Sequence, residues 1–576
     1  MSIKKNYSMH PTPQFERKEW TDLRGVWDFR FDGENLGEQK GYFNGFEREY
    51  EILVPFTYES KASGIGIETP VENVWYQKKF NYVSGKRALL HFEGSDYVTK
   101  VWVNGKFVGS NKGGYHAFCF DITSALQAGE NLLVVKCEDS LDLNILRGKQ
   151  RAADKNYECF YVQMTGIWKP VWIDYVGEIR FDSIVFDTQI TRKMLNVHYE
   201  LLGFVKGAEL EIEVSLNGQT VKTVNEEICN QSGDVAMSMP KDRGLNCLWN
   251  QFGELYDVRL VLRKNGEIYD EIFSYVGMRE ISVRDNAVCL NNAIINQKLI
   301  LYQGVWKDNL YTCPDDETVI RDLTRIKEMG FNGIRIHEKT ESERFLYFAD
   351  MLGLLVWCEI PSPYEFSDKM KEGYTAEMSY IIRQKRNHPS VITWVLFNES
   401  WGIGEIGKDK NMQTFADAMY YLAKSIDSTR PVIVNDGWEH TLSDIVTIHN
   451  YTQAADELYE NCKNADKETE ITLTAAKKKL FVEGYHYRGQ PIILSEFGGC
   501  CFDCDTLNGW GYGSSVKDEK EFLNRFKALY DAVNRLGFFA GSCYTQFNDI
   551  QQEKNGLYTE GAVAKVSVEK IKEIVR

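Results

Sequence analysis

Val391-Ile392-Thr393-Trp394-Val395-Leu396-Phe397-Asn398-Glu399-Ser400-Trp401 is an apolar run that stops abruptly at three polar residues and an aromatic one. It has the length and composition of a strand buried on both faces. Runs of the same kind lie at residues 299–302, 333–336, 354–358, 432–434, 445–448, 492–494 and 538–544. Between them are segments with apolar positions at helical spacing, such as 317–329 and 412–426. Eight buried strands alternating with helices predict a closed (β/α)8 TIM barrel over residues 278–576, a length close to the ~250 residues typical of that fold plus loop insertions. The stretch 566–575 reads as the helix that closes it.

Upstream of the barrel the rhythm is strand and turn. Trp27, Phe29 and Phe31 alternate with polar residues, Val101 and Val103 flank Trp102, and turn signals such as Asn104-Gly105 and Gly113-Gly114 recur. This predicts a jelly-roll β-sandwich over residues 1–180. From 181 to 277, Leu210, Ile212, Val214 and Leu216 alternate strictly into Asn217-Gly218, and a second run leads into Asn265-Gly266. That stretch has the size and pattern of an immunoglobulin-like β-sandwich.

Composition excludes several function classes. The 576 residues carry 67 Lys+Arg against 83 Asp+Glu, a formal charge of -16, which repels nucleic acid and anionic membrane. The longest basic run, Lys477-Lys478-Lys479, reads as a solvated helix face. No run of about 18 apolar residues occurs, and the first 20 residues lack the apolar centre of a signal peptide, so a soluble, cytoplasmic protein is expected. The 13 cysteines are scattered and odd in number, and Cys500, Cys501 and Cys504 read as structural thiols.

In a (β/α)8 barrel the chemistry sits at the C-terminal ends of the strands. The second strand ends in Arg335-Ile336-His337-Glu338, the fourth in Asn398-Glu399-Ser400-Trp401, the fifth in Asn435-Asp436-Gly437-Trp438. The sixth ends in His449-Asn450-Tyr451, the seventh in Ser495-Glu496-Phe497-Gly498, and the eighth in Thr545-Gln546 with Asp549 beyond. Two glutamates on strands four and seven face each other across such a mouth. Hydrolysis of an acetal at neutral pH needs two carboxyl groups, one to protonate the leaving oxygen and one to meet the developing oxocarbenium ion. If Glu399 and Glu496 stand about 5 Å apart, the second attacks the anomeric carbon and configuration is retained.

The string Phe397-Asn398-Glu399-Ser400-Trp401-Gly402, followed 97 positions after its Glu by Glu496 in Pro491-Ile492-Ile493-Leu494-Ser495-Glu496-Phe497-Gly498-Gly499, resembles glycoside hydrolase family 2. That family holds β-galactosidases, β-glucuronidases and β-mannosidases. The likeness extends over the whole chain. Trp20 to Trp27, Val101-Trp102-Val103-Asn104-Gly105 and Thr165-Gly166-Ile167-Trp168 resemble the family's sugar-binding jelly roll, and Val276-Gly277-Met278-Arg279 resembles its entry into the barrel. The resemblance implies Glu399 as acid/base, Glu496 as nucleophile, Asn398 as the residue that bonds the sugar 2-hydroxyl, and Tyr451 as a contact of the nucleophile. Arg335 is a cation suited to keep Glu496 ionised. His337 and His449 are expected to donate to sugar hydroxyls, and Trp401, Trp438, Trp510 and Tyr512 to wall the sugar ring.

The departures from the family are informative. The magnesium ligands of the large β-galactosidases find no counterpart, so no metal and no cofactor are expected. Where β-glucuronidases carry Asn-x-Lys, this chain has Glu553-Lys554-Asn555, a change that disfavours a uronic acid. Arg147-Gly148-Lys149-Gln150 is the candidate loop from the first domain to reach the barrel mouth. The expected activity is a retaining exo-β-glycosidase working by double displacement on a carbohydrate substrate, with β-galactosidase first. β-Glucuronidase, β-mannosidase and α-L-arabinosidase are the alternatives, and an inactive carbohydrate-binding protein is the competing class. Homo-oligomerisation stays open.

Overall fold

Three successive blocks of secondary structure follow one another along the chain. The computed structural model describes residues 9–83, 85–239, 248–467, 472–473, 478–502 and 509–576. In the first block a six-stranded and a four-stranded antiparallel sheet face each other. Trp27, Phe29, Ile52, Tyr76, Leu90, Val101, Val135 and Ile173 fill the space between them. They come from alternate positions because strand side chains point to opposite faces with period two.

The second block stacks a three-stranded sheet on a four-stranded one, with Leu195, Val197, Leu210, Ile212, Val214, Leu260 and Ile272 inside. The turn signals act as expected. Asn104-Gly105, Asn217-Gly218 and Asn265-Gly266 each join adjacent antiparallel strands with both residues at positive φ, between 51° and 81°. This is the left-handed conformation that a two-residue hairpin with matching twist requires.

The third block is an eight-stranded parallel sheet, nearly closed into a barrel. Its strands are β1 (Gln297–Tyr302), β2 (Gly333–Ile336), β3 (Leu355–Glu359), β4 (Val391–Asn398), β5 (Val432–Asp436), β6 (Val446–Asn450), β7 (Ile492–Gly498) and β8 (Phe539–Thr545). They pair in chain order from β1 to β5, and β1 pairs with β8, β8 with β7, and β7 with β6. Alternation sorts the side chains here too. Leu299 and Leu301 of β1 point with Trp357, Ile433 and Ile493 into the barrel, while Ile300 and Tyr302 pack outward under the helices.

The helices include α1 (Asp316–Glu328), α2 (Glu343–Leu352), α3 (Asp368–Lys385), α4 (Lys410–Ile426), α5 (Ala455–Cys462), α6 (Glu519–Leu536) and α7 (Val568–Val575). Asp315, Ser342, Ser367 and Asp518 cap four of them by accepting from a backbone N–H in the first turn. No helix among the described residues is long and apolar enough to cross a membrane.

Two sequence expectations need correction. Lys478–Lys479 form a short strand paired with Thr472–Leu473 rather than a helix face, and Lys477 lies outside the described residues. Cys501 is disulfide-bonded instead of reduced, and Cys504 lies outside the described residues.

The jelly roll is fused to the barrel. Tyr115, Leu146, Tyr161, Val162, Met164 and Trp168 belong to the same buried apolar cluster as the barrel strands and helices. Arg17, itself buried, ties the blocks by pairing with Asp174 of the first and Asp270 of the second.

Candidate active site

Inward-facing residues near the barrel axis converge on Arg335 of β2. Its position follows from the alternation on that strand, where Ile334 and Ile336 face the helices and Arg335 faces the axis. The guanidinium is fully buried. It pairs with Glu359 at the end of β3, with Asp436 of β5 at 2.8 Å and with Glu496 of β7 at 2.5 Å, and donates to Asn398 Oδ1 of β4 at 2.8 Å. One cation thus holds the ends of four strands in register, and its planar fork suits several carboxylates at once.

Glu496 is aimed inward at an irregularity in the ladder. The β7–β8 register shifts between Leu494 and Phe497, the span that carries Glu496, and such a shift redirects side chains. Burial by itself raises the pKa of Glu496, but His449, Arg335 and a hydrogen bond from Tyr451 Oη more than offset it and hold it at about 2. Tyr451 Oη also lies 3.2 Å from Thr545 Oγ1. Its ring is stacked on Tyr512, with centroids 3.4 Å apart and planes within 6°.

Glu399 sits on a strained turn at the tip of β4. Glu399 and Ser400 both have positive φ, 51° and 63°, a conformation that costs free energy for non-glycine residues and clusters at functional sites. The turn is held by Glu399 N–H donating to Asp436 O at 3.0 Å, Ser400 N–H to Asn435 Oδ1 at 2.9 Å, and Ser400 Oγ to Glu439 at 2.7 Å. The result places the carboxylate in the mouth, with its side chain about one-fifth exposed.

His449 lies between the two glutamates. Its Nδ1 is 2.7 Å from Glu399 Oε1 and 3.5 Å from Glu496 Oε2, while Nε2 is 3.4 Å from Asp436. Burial lowers its pKa, but the negative charges of Glu496 and Asp436 and the contact with Glu399 override this and raise it to about 10. One ligand-type atom from each of Glu399, His449 and Glu496 lies within 4.8 Å of the others. These three residues are the group among the described residues that could hold a metal ion, and a cation there would displace the proton of His449. Glu359 is likewise engaged, by Arg335, His337 and the Glu338 N–H.

The remaining expected residues divide by position. His337 is buried, with Nδ1 3.0 Å from Glu359 and 3.2 Å from an Arg335 nitrogen. Burial, Lys149 and Arg335 push its pKa well below the usual value, so the ring is neutral. In a neutral ring Nδ1 either donates to Glu359 or accepts from Arg335, and Nε2 takes the complementary role toward a ligand. Trp438 meets His449 edge-on at 5.6 Å. Trp401 packs among Tyr364, Phe160 and His337. Trp510 lies edge-on to Tyr512 and donates its Nε1–H to the Glu158 carbonyl at 2.7 Å.

The last two contacts bring in residues that strand-end reasoning does not reach. Phe160, Tyr161 and the Glu158 carbonyl belong to the jelly-roll loop, which lies against the barrel mouth. Tyr161 Oη donates to Glu553, which also accepts from Asn555 at 3.0 Å. Gln303, just beyond β1, donates to Tyr161 Oη at 3.0 Å and to Gln546 at 2.5 Å. Asp436 also belongs to the site. It stands at a strand end, a signal that was there to be used.

Arg335, Glu399, His449, Tyr451 and Glu496 lie in a segment shared with known proteins. Residues 283–527 match the family model "Glycosyl hydrolases family 2, TIM barrel domain", and residues 20–174 match "Glycosyl hydrolases family 2, sugar binding domain". The chain belongs to glycoside hydrolase family 2. Among its family 2 relatives, a β-galactosidase of Thermoanaerobacter pseudethanolicus is 25% identical over 480 residues, which is 77% of this chain and 61% of that protein. A β-glucuronidase of Paenibacillus borealis is 24% identical over 606 residues, 94% of each chain. The chain spans 45% of a putative β-glucuronidase of Formosa agariphila and 38% of a Leuconostoc mesenteroides β-galactosidase. The solved structure of a Ruminococcus gnavus β-glucuronidase with D-glucuronic acid superposes with a TM-score of 0.80 over 98% of this chain and 100% of that one, at 18% identity. Both activities thus occur among these family 2 relatives, and at 18% identity the structural match speaks for the fold alone.

Proposed function

We propose that this family 2 protein is a retaining exo-β-glycosidase that releases a terminal, uncharged β-linked sugar, with β-D-galactosides first. The observation that carries the reaction type is the carboxylate pair: Glu399 and Glu496 oxygens within 4.8 Å of each other. That spacing fits direct attack by one carboxylate and leaves no room for the interposed water of an inverting enzyme, whose carboxyl groups stand about 6.5–9.5 Å apart.

In this reading Glu496, ionised and held by Arg335 and Tyr451, attacks the anomeric carbon. Glu399 delivers a proton to the departing glycosidic oxygen, with His449 as its hydrogen-bonded neighbour. Glu399 then takes a proton from the water that releases the sugar with its configuration retained. Asn398, whose Oδ1 accepts from Arg335, takes in this reading the role of bonding the 2-hydroxyl. The aromatic residues Trp401, Trp438, Trp510 and Tyr512 wall the ring.

The preference for an uncharged sugar rests on Glu553 and Asn555. They stand where the β-glucuronidases of the family carry Asn-x-Lys, and Glu553 is buried among Tyr161, Asn555 and Gln303. A carboxylate there repels a uronate. The test is a panel of 4-nitrophenyl glycosides: β-D-galactoside, β-D-glucuronide, β-D-mannoside, β-D-fucoside and α-L-arabinoside. Glu496→Ala is expected to abolish turnover of the preferred sugar and to regain activity with azide, giving the α-glycosyl azide. A β-configured azide would reverse the two glutamate roles, and preferred hydrolysis of the glucuronide would overturn the sugar assignment.

A further inference from the structure

The loop Arg147-Gly148-Lys149-Gln150 leaves the jelly roll and is clamped onto the barrel. The N–H groups of Arg147 and Gly148 both donate to the Ser362 carbonyl at 3.1 Å, and Tyr364 Oη donates to the Gly148 carbonyl. Gly148 is pressed so close that a Cβ there would lie 2.1 Å from the Glu338 carbonyl oxygen. Arg147 is bonded through its terminal nitrogens to the Ser140 and Arg151 carbonyls and paired with Asp139 at 3.5 Å.

Lys149 is different. It is 8% exposed, yet among the described residues its ammonium makes no hydrogen bond and no ion pair, and the ring of Tyr161 is 6.0 Å away. It lies in the electrostatic field of Glu553, Glu496 and Glu338, the residues of the barrel mouth. The neighbouring Cys159 thiol is pushed up by burial to about 12 and stays uncharged, so it supplies no partner. The stem of the side chain is buried, while the ammonium, which no protein acceptor among the described residues satisfies, keeps contact with solvent and has its three donors open to a ligand. The carboxylates around it make the region unfavourable for a second anion and favourable for a neutral oxygen.

We propose that Lys149 is a specificity-determining residue of the substrate pocket, supplied by the jelly-roll domain, whose ammonium donates to a hydroxyl of an uncharged sugar other than the 2-hydroxyl. This rests on the glycosidase reading and adds the residue and the chemical group by which the sugar is recognised.

The experiment compares wild type, Lys149→Met and Lys149→Gln on 4-nitrophenyl β-D-galactoside and its 3-, 4- and 6-deoxy forms, with calorimetric binding of D-galactose alongside. Lys149→Met is expected to lower kcat/KM on the parent sugar roughly 10- to 100-fold, the usual worth of a hydrogen bond from a charged donor. The variant and wild type should then be equal on the one deoxy sugar that lacks the contacted hydroxyl, and Lys149→Gln should fall between. A loss of the same factor on every deoxy sugar would show a merely structural role and overturn the inference, as would no loss at all. A loss confined to a glucuronide would replace the hydroxyl by a carboxylate and overturn it too. If wild type hydrolyses nothing but binds galactose in a Lys149-dependent way, the catalytic reading fails while the recognition stands.

Discussion

Replacing Arg335 by methionine isolates what its guanidinium does for Glu496, the proposed nucleophile. Its contact with Glu496 at 2.5 Å puts the two charge centres about 4 Å apart, worth about 4 kcal/mol at an effective dielectric constant of about 20. At 1.36 kcal/mol per unit this is about three pKa units, enough to lift Glu496 from about 2 to roughly 5. The direction is fixed by the sign of the charge. A carboxylate held below its unfolded value contributes stability above pH 4.5 that is lost as pH falls toward 2, and without Arg335 that contribution vanishes. Glu359 and Asp436, both buried, lose the same partner, so the variant is also expected to be about 3–5 kcal/mol less stable. The assay is kcat/KM against pH from 4 to 8, with the melting temperature recorded beside it. An acidic limb near pH 5 should enter this range in Arg335→Met and be absent from it in wild type and in Arg335→Lys, which keeps the charge. A folded Arg335→Met whose acidic limb coincides with that of wild type would refute the assignment.

Glu399→Gln should cost about 10²–10⁴-fold on alkyl glycosides, whose leaving group needs a proton, and far less on 2,4-dinitrophenyl glycosides; equal losses on both would count against the acid role. Gly148→Ala should displace the Lys149 loop, because its Cβ meets the Glu338 carbonyl at 2.1 Å and its φ is +56°. The expected result is a lowered melting temperature and a rise in KM with the azide rescue of Glu496→Ala intact. A variant kinetically identical to wild type would show that the loop does not shape the pocket.

Much of this protein was legible along the chain because barrel strands buried on both faces are continuous apolar runs. Each of the eight runs overlaps one of the eight strands, with ends that differ by at most four residues, and the Asn-Gly pairs turn where positive φ is needed. Glu399 and Glu496 stood out because each follows or ends such a run. The local pattern also located Arg335, since a charged residue inside a four-residue apolar strand has nowhere to go but the axis.

Other features depend on groups far apart in sequence. His449 reads as a plain strand-end histidine, and only the approach of Glu496 and Asp436 from neighbouring strands makes it an imidazolium at neutral pH. His337 has the same local appearance and the opposite state, because burial and then the charges of Lys149 and Arg335 disfavour its protonation. Lys149 is more than 340 positions from Glu496 and has no periodicity to mark it. Its exposure, its lack of a partner and its field are properties of the packed interface between the jelly roll and the barrel. The sequence by itself determined which elements form and which carboxylates stand at their ends, because those follow from local spacing and burial. The tertiary structure decided their charge states and the contribution of the first domain, because electrostatic energy depends on distances in space that chain position does not encode.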